Sequence, residues 1–241
     1  MIFDLGATLL YFDGEWPEIL ASSHGELFRE LRAAGLALEE EAFLRDFRAQ
    51  LDAYYTEREA EFIEYTTLYV LRDQLARWGY PEVPETVLRQ ALRKMYSVTE
   101  THWKPEPDAL STLQILRGEG YRLGLISNAG DDEDVQTLID NAGIRQFFEI
   151  IVTSAAQGIR KPNPRIFQLV LDFWELPPDR IVMVGDTLGA DVLGARNAGI
   201  YSIWITRRAN TPANLAHQDT IIPDATIATL AELPALLQKI A

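Results

Sequence analysis

Apolar positions recur every three or four residues over much of the first hundred residues, then give way to short apolar runs separated by helical segments. Leu68, Leu71 and Leu75 form one stripe, and Val87, Leu88, Ala91, Leu92 and Met95 form another. With Gly35 and the prolines of "GYPEVP" as terminators, this spacing predicts helices over 16–34, 39–60, 64–78 and 85–101. Four helices with short connections predict a small bundle.

After "KPEPDAL" the period changes. Strands are predicted over 121–126, 148–152, 180–184 and 201–205, with helices near 109–118, 133–142, 163–174 and 189–198. Strands alternating with helices predict an α/β fold, a Rossmann-like parallel sheet with helices on both faces. Leu230, Leu233, Leu236, Leu237 and Ile240 lie at helical spacing and predict one last covering helix. The apolar run before Asp4 joins the sheet, because three residues cannot pair with a helical bundle. The bundle is then an insertion after the first strand, with a core domain of 1–13 and 106–241 and an inserted helical domain of 14–105. Three residues are few for a central strand. Either the strand is short or the natural start lies upstream of Met1.

Composition narrows the function. The 241 residues carry 36 acidic and 22 basic side chains, a net charge of -14, which disfavours nucleic acid and anionic membrane surfaces as partners. The absence of cysteine removes disulfides, thiolate nucleophiles and Cys-ligated metal centres, and fits a reducing compartment. No apolar stretch reaches the length of a membrane span, and no basic-then-apolar leader opens the chain, so a cytoplasmic location is expected. No repeat or low-complexity segment is present.

Ligands of open parallel sheets bind beyond the carboxyl ends of the strands. Those positions carry Asp4, then Ser127 and Asn128 of "SNAG", then Lys161 of "GIRKPNP", then Asp186 and Asp191 of "GDTLGAD". Each alone is consistent with a turn or a helix cap. Together they suit phosphoryl transfer through a covalent aspartyl intermediate, because a carboxylate attacking a phosphate dianion needs a metal and a lysine to offset repulsion. In this reading Asp4 is the nucleophile and Lys161 bridges it to the phosphate. Ser127 and nearby main-chain N–H groups hold phosphoryl oxygens, with Asn128 beside them. Mg²⁺ takes Asp4 and Asp186, with Asp191 holding a metal water.

The motifs "FDLGATL", "LISNA", "GIRKPNPRIF" and "VGDTLGADVLGARNAG" resemble those of the haloacid dehalogenase-like hydrolase superfamily, in the branch with a helical cap after the first strand. The resemblance spans essentially the whole chain. It implies Asp4 as nucleophile and metal ligand, the Gly6 carbonyl as a further metal ligand, Ser127 as phosphate binder, Lys161 as charge stabiliser, and Asp186 and Asp191 as the rest of the Mg²⁺ site. It also implies a small phosphorylated metabolite as substrate.

One position departs from that pattern. Phosphatases of the family carry a second Asp two residues after the nucleophile, where this chain has Gly6. The carbonyl survives the change and the acid/base carboxyl does not. Three readings follow: a phosphatase whose proton comes from elsewhere, with Asp13 a candidate; a dehalogenase- or phosphonatase-type hydrolase; or a binding or regulatory protein without turnover. The intact "GDTLGAD" argues against the metal-free dehalogenases, and the lack of a clear cap lysine argues against the phosphonatases. His24, His102 and His217 lie away from the strand ends and read as structural. "DDEDV" reads as an acidic helix start, and Trp16, Tyr54, Tyr55, Tyr65 and Trp103 read mainly as helical packing, with a substrate pocket as the alternative.

Overall fold

The computed structural model describes residues 1–240, apart from the side chains of 58–61. The strands are β1 (Ile2–Phe3), β2 (Leu10–Phe12), β3 (Trp103–Pro105), β4 (Gly124–Ser127), β5 (Ile150–Thr153), β6 (Val182–Gly185), β7 (Tyr201–Ile205) and β8 (Ala225–Ile227). The helices are α1 (Trp16–Ala33), α2 (Glu40–Glu61), α3 (Thr67–Arg77), α4 (Glu85–Glu100), α5 (Ala109–Gly118), α6 (Asp132–Asn141), α7 (Ser154–Gln157), α8 (Pro164–Trp174), α9 (Leu193–Asn197), α10 (Pro212–Leu215) and α11 (Leu233–Ile240).

Six strands form one parallel sheet in the order β5-β4-β1-β6-β7-β8. The alternation of strand side chains sorts the two faces. Phe3, Leu125 and Val184 point into a core with α5, α6 and α11, whereas Ile2, Ile126 and Met183 point into a second core with α8 and α9. Both faces are therefore covered, as the alternation of strands and helices predicts. Strand order turns outward in both directions from β1, so β1 and its neighbours β4 and β6 flank the point where crossovers diverge. Such switch points open a crevice at the carboxyl ends of the strands.

Helices α1 to α4 bury their apolar stripes in a separate core that includes Leu27, Leu31, Phe43, Phe47, Leu71 and Leu88. The helix ends follow local chemistry: Thr66 caps α3 by accepting from the Tyr69 N–H at 3.2 Å, and α4 starts after Pro84. The two chain crossings between bundle and sheet pair with each other. Strands β2 and β3 run antiparallel, with Phe12 opposite Trp103 and Leu10 opposite Pro105, a feature the sequence pattern does not predict. A third tie joins the bundle to the sheet, where the Glu64 N–H donates to Gly158 O (3.1 Å) and the Thr67 N–H to Gly130 O (2.8 Å).

Most predicted elements shift by one to three residues at their ends. The predicted strands 121–126 and 180–184 begin later, at Gly124 and Val182, because Tyr121 to Leu123 approach the sheet as irregular chain and Pro178–Arg180 forms a 3-10 turn. The predicted helix 189–198 opens instead as a wide π-turn over Leu188–Val192 before α9. None of the described helices is long and apolar enough to cross a membrane.

Candidate active site

Asp4 leaves β1 with its N–H donating to Val184 O at 2.9 Å, so the sheet ladder itself fixes where the carboxylate begins. The chain then turns back sharply: both Leu9 and Leu10 donate N–H to Leu5 O, and Ala7 adopts a left-handed φ of 55°. Gly6 does not have a positive φ. The strained residue of this loop is therefore the alanine after it.

Lys161 is 2% exposed and spends all three ammonium hydrogens inside the protein. Nζ donates to Asp4 Oδ1 (2.6 Å), Asp191 Oδ1 (2.7 Å) and Ile126 O (2.8 Å). Burial works against its charge, but Asp191 and Asp4 outweigh burial and hold its pKa above the ordinary lysine value. Asp191 is fixed by its second oxygen, which accepts from the Thr187 N–H at 2.9 Å. Gly185 is required here, because a Cβ at that position would collide with the Asp191 carboxylate.

Asp4, Asp186 and Asp191 each offer an oxygen within 4.8 Å of the others. Burial, opposed by Lys161 and reinforced by Asp191, lifts the Asp4 pKa to about 6. Burial, then Asp4 and Asp191, lift that of Asp186 to about 8. Three carboxylates facing one ammonium leave two negative charges uncompensated when ionised. An all-oxygen donor set with that excess fits a hard divalent cation.

The sequence-predicted residues Asp4, Gly6, Ser127, Asn128, Lys161, Asp186 and Asp191 all border a single cavity of about 460 Å³ between the sheet and the bundle. Ser127 closes β4 beside Asp4 and is buried. Asn128 is used differently from a substrate ligand. Its Nδ2 donates to Lys161 O (3.0 Å) and its Oδ1 accepts from the Lys161 N–H (2.9 Å), so its amide braces the main chain that carries the lysine.

Other candidates fall elsewhere. Asp13 is exposed on the chain crossing, exchanging main-chain contacts with His102, whose Nδ1 lies 2.9 Å from Asp13 O. Tyr54 and Tyr65 pack against each other and against Tyr69 on the bundle, whereas Trp16, Tyr55 and Trp103 line the cavity. Asp131 caps α6, accepting from the Asp134 N–H at 3.1 Å.

Two positioning residues escape the sequence reading. Trp204 Nε1 (2.7 Å) and Asn214 Nδ2 (2.9 Å) both donate to Asp186 O, and Asn214 Oδ1 accepts from the Leu188 N–H at 2.8 Å. They pin the loop that carries Asp186 and Asp191. A buried asparagine in the short helix α10 carries no local mark of that task.

A model of the haloacid dehalogenase-like hydrolase family matches residues 1–199. Phosphoserine phosphatase of Thermus thermophilus is 29% identical over 257 aligned positions, covering 96% of this chain and 98% of that protein. Glyceraldehyde 3-phosphate phosphatase of Methanothermobacter thermautotrophicus is 44% identical over 102 residues, 42% of this chain and 45% of that protein. With it and the pyrimidine 5'-nucleotidase YjjG of Escherichia coli, at 35% identity over 56% of this chain, the match spans about half the relative's length, 45% and 57%. Among solved structures, the 2-haloacid dehalogenase from Pseudomonas syringae pv. Tomato DC3000 superposes with a TM-score of 0.72 at 24% identity, covering 100% of this chain and 98% of that one. The fold, the cluster of carboxylates about a buried lysine and the family match agree, and the chain belongs to the haloacid dehalogenase-like hydrolases.

Proposed function

We propose that this hydrolase is a Mg²⁺-dependent phosphatase of small phosphate esters that carries the phosphoryl group transiently on Asp4. The observation that carries the reading is the Lys161 ammonium, clamped between Asp4 and Asp191 at 2.6 and 2.7 Å on the floor of the cavity. Relatives named as phosphatases of glyceraldehyde 3-phosphate and phosphoserine support it. In this reading residues 1–13 and 106–241 form the catalytic core, and 14–105 form a cap over the cavity.

The residues divide the work as follows. Lys161 holds one oxygen of Asp4, which leaves the carboxylate in a fixed orientation for attack on phosphorus. The Asp4 oxygen forms a bond to phosphorus, the ester P–O bond breaks, and the electron pair departs on the leaving oxygen. Ser127 and main-chain N–H groups after β4 receive the phosphoryl oxygens. Water then attacks phosphorus and releases phosphate and Asp4. Asp4, Asp186 and the Gly6 carbonyl, with Asp191 through water, are the residues that would hold Mg²⁺. When bound, the ion supplies positive charge against the carboxylates and the phosphate.

The test is phosphate release from an activated aryl phosphate with and without EDTA, combined with acid-quench mass spectrometry of the peptide carrying Asp4. Mg²⁺-dependent turnover and one phosphoryl group on Asp4 are expected, both lost in Asp4→Asn. Turnover without Mg²⁺, or a phosphoryl group on another residue, overturns the reading. A binding protein would give neither signal.

A further inference from the structure

Resting on the phosphatase reading, we infer that the site takes an uncharged aromatic leaving group, a phenol- or naphthol-type alcohol esterified to phosphate, with Trp103 as the ring's stacking residue.

The first observation lies at Gly6. A Cβ built on Gly6 would stand 3.5 Å from Cη2 and 3.8 Å from Cζ3 of Trp103, so an indole ring covers the space that a side chain at position 6 would enter. The ring is held rigidly: Trp103 pairs with Phe12 across β2 and β3, and Phe12 packs edge-on against both Trp103 (5.5 Å) and Trp16 (4.4 Å). Next to the Asp4 carboxylate there is thus an aromatic surface where an acid would otherwise stand.

The second observation is the chemistry of the opposite wall. Leu20, Leu51, Tyr55 and Met95 line the bundle side of the cavity. Four of the hydroxyls there already make hydrogen bonds within the protein. Ser23 donates to Met95 O (2.6 Å), Thr99 donates to Tyr96 O (3.0 Å), and Thr67 Oγ1 shares a hydrogen with the Tyr96 hydroxyl (2.7 Å). His24 Nδ1 accepts from Arg48 Nε at 3.3 Å. A polyol entering this space would exchange water for a largely apolar wall on which the Ser23 and Thr99 hydrogens are already donated to main-chain carbonyls, which costs free energy for each hydroxyl left unpaired. A second anionic group fares no better: among the described residues the cations on the cavity are Lys161, held by two carboxylates, and Arg160, beside the Glu64 carboxylate at 3.8 Å. An apolar ring pays neither cost and gains a stacked partner.

The chemistry of bond cleavage agrees. When the Asp4 oxygen bonds to phosphorus and the P–O bond to the ring oxygen breaks, the electron pair leaves on an aryloxide stabilised by its ring. That oxygen then takes a proton from water, and no carboxylic acid at position 6 is needed.

The experiment compares kcat/KM of the full chain in saturating Mg²⁺ on 2-naphthyl phosphate, acetyl phosphate and glycerol 3-phosphate. Acetyl phosphate has a good leaving group and no ring. The naphthyl ester is expected to exceed acetyl phosphate about tenfold, through KM, and glycerol phosphate to lie at least about 100-fold below both. Trp103→Leu, which keeps an apolar side chain in β3, should lower the naphthyl-to-acetyl ratio about tenfold, and Trp103→Phe should restore most of it. Turnover of acetyl phosphate with a naphthyl ester no better than glycerol phosphate, or a ratio unmoved by Trp103→Leu, overturns this inference and leaves the phosphatase reading standing. No turnover of any of the three, acetyl phosphate included, defeats the phosphatase reading itself.

Discussion

The side-chain amide of Asn128 grips the main chain of Lys161 from both sides, accepting from its N–H at 2.9 Å and donating to its C=O at 3.0 Å. The two residues stand on separate loops, 33 positions apart, and this pair of bonds joins them. Lys161 in turn fixes Asp4 and Asp191, so a small displacement of its main chain moves every contact of the ammonium. Asn128→Ala is expected to lower kcat about 10- to 100-fold while KM changes less than about threefold, because misplacement by an ångström costs rate on that order. Steady-state kinetics decides it: a variant that loses through KM alone would make Asn128 a substrate ligand.

The three clustered carboxylates predict a metal response. Occupation of the site stabilises the folded state by mass action, about 2.7 kcal/mol when the ion is at 100 times its dissociation constant. Mg²⁺ is expected to raise the melting temperature of the wild-type protein in a concentration-dependent way. Asp186→Asn should abolish that rise and, by relieving repulsion with Asp4 and Asp191, match or exceed the wild type without the ion. A variant whose melting temperature still climbs with Mg²⁺ would exclude Asp186 as a ligand.

The convergence of Asp4, Lys161, Asp186 and Asp191 is legible in the sequence because Asp4 and Asp186 close apolar runs, Lys161 and Asp191 lie in the connections that follow such runs, and parallel strands bring their carboxyl ends to one edge. Side-chain direction is not legible in the same way. Asn128 follows Ser127 directly, yet its amide turns to Lys161, a choice made by a loop 33 residues away. Strands β2 and β3 are hidden for a related reason: each is three residues long, and their stabilising partner lies across the whole bundle. Trp204 and Asn214 act on Asp186 through one carbonyl, a relation with no periodic signature. The left-handed residue of the turn after β1 is Ala7 and not its neighbour Gly6, and a lone alanine carries no mark of that conformation.

His24 supplies an acid limb to stability. It is buried between α1 and α2, packed edge-on against Phe47 at 5.6 Å, and burial, then Arg48, lowers its pKa from 6.5 to about 4. Below pH 6.5 the unfolded chain binds a proton that the folded chain refuses. The contribution is therefore full above pH 6.5 and is lost as pH falls toward 4, on the order of 3 kcal/mol in all. His24→Gln, neutral at every pH, should show a shallower loss over that window by roughly this amount. Parallel denaturant titrations of the two proteins at pH 4 and pH 7 measure the difference, and equal losses would refute the assignment.

Asp134 acts with the opposite sign. It lies in the first turn of α6 facing Tyr96 and Glu100 of the bundle, and its Oδ1 is buried without a hydrogen-bond partner. Burial, then Glu100 and Asp131, raise its pKa to about 8. A carboxyl raised in this way contributes stability that is fully present below pH 3.8 and is lost as pH rises through 8. Asp134→Asn should therefore gain on the wild type between pH 4 and pH 8, reaching about 1 to 3 kcal/mol, with no further gain above. Melting curves across that range test it, and a gain that shrinks as pH rises would show that the carboxylate is stabilised rather than strained.

Gly6 and Trp103 make the last prediction. A positioned general acid is worth about 10² to 10⁴ in rate and matters most for basic alkoxide leaving groups, so the wild-type protein should depend steeply on leaving-group pKa. Gly6 has no positive φ, and its Cβ would stand at ordinary contact distance from the indole, so the backbone accepts a side chain there. The atoms beyond Cβ are the obstacle, because they would enter the volume the ring occupies. Gly6→Asp alone is therefore expected to lose stability by about 1 to 3 kcal/mol and to recover little activity on alkyl esters. Adding Trp103→Ala opens the space, and the double variant should flatten the leaving-group dependence by raising the rate on alkyl phosphates about tenfold or more over either single variant. The measurement is a double-mutant cycle on a series of phosphate monoesters at one Mg²⁺ concentration, with folding of each protein checked by circular dichroism. Additive effects on the slope would mean that the ring and the missing acid do not compete for one place, and a wild type already fast on alkyl esters would mean that another group delivers the proton.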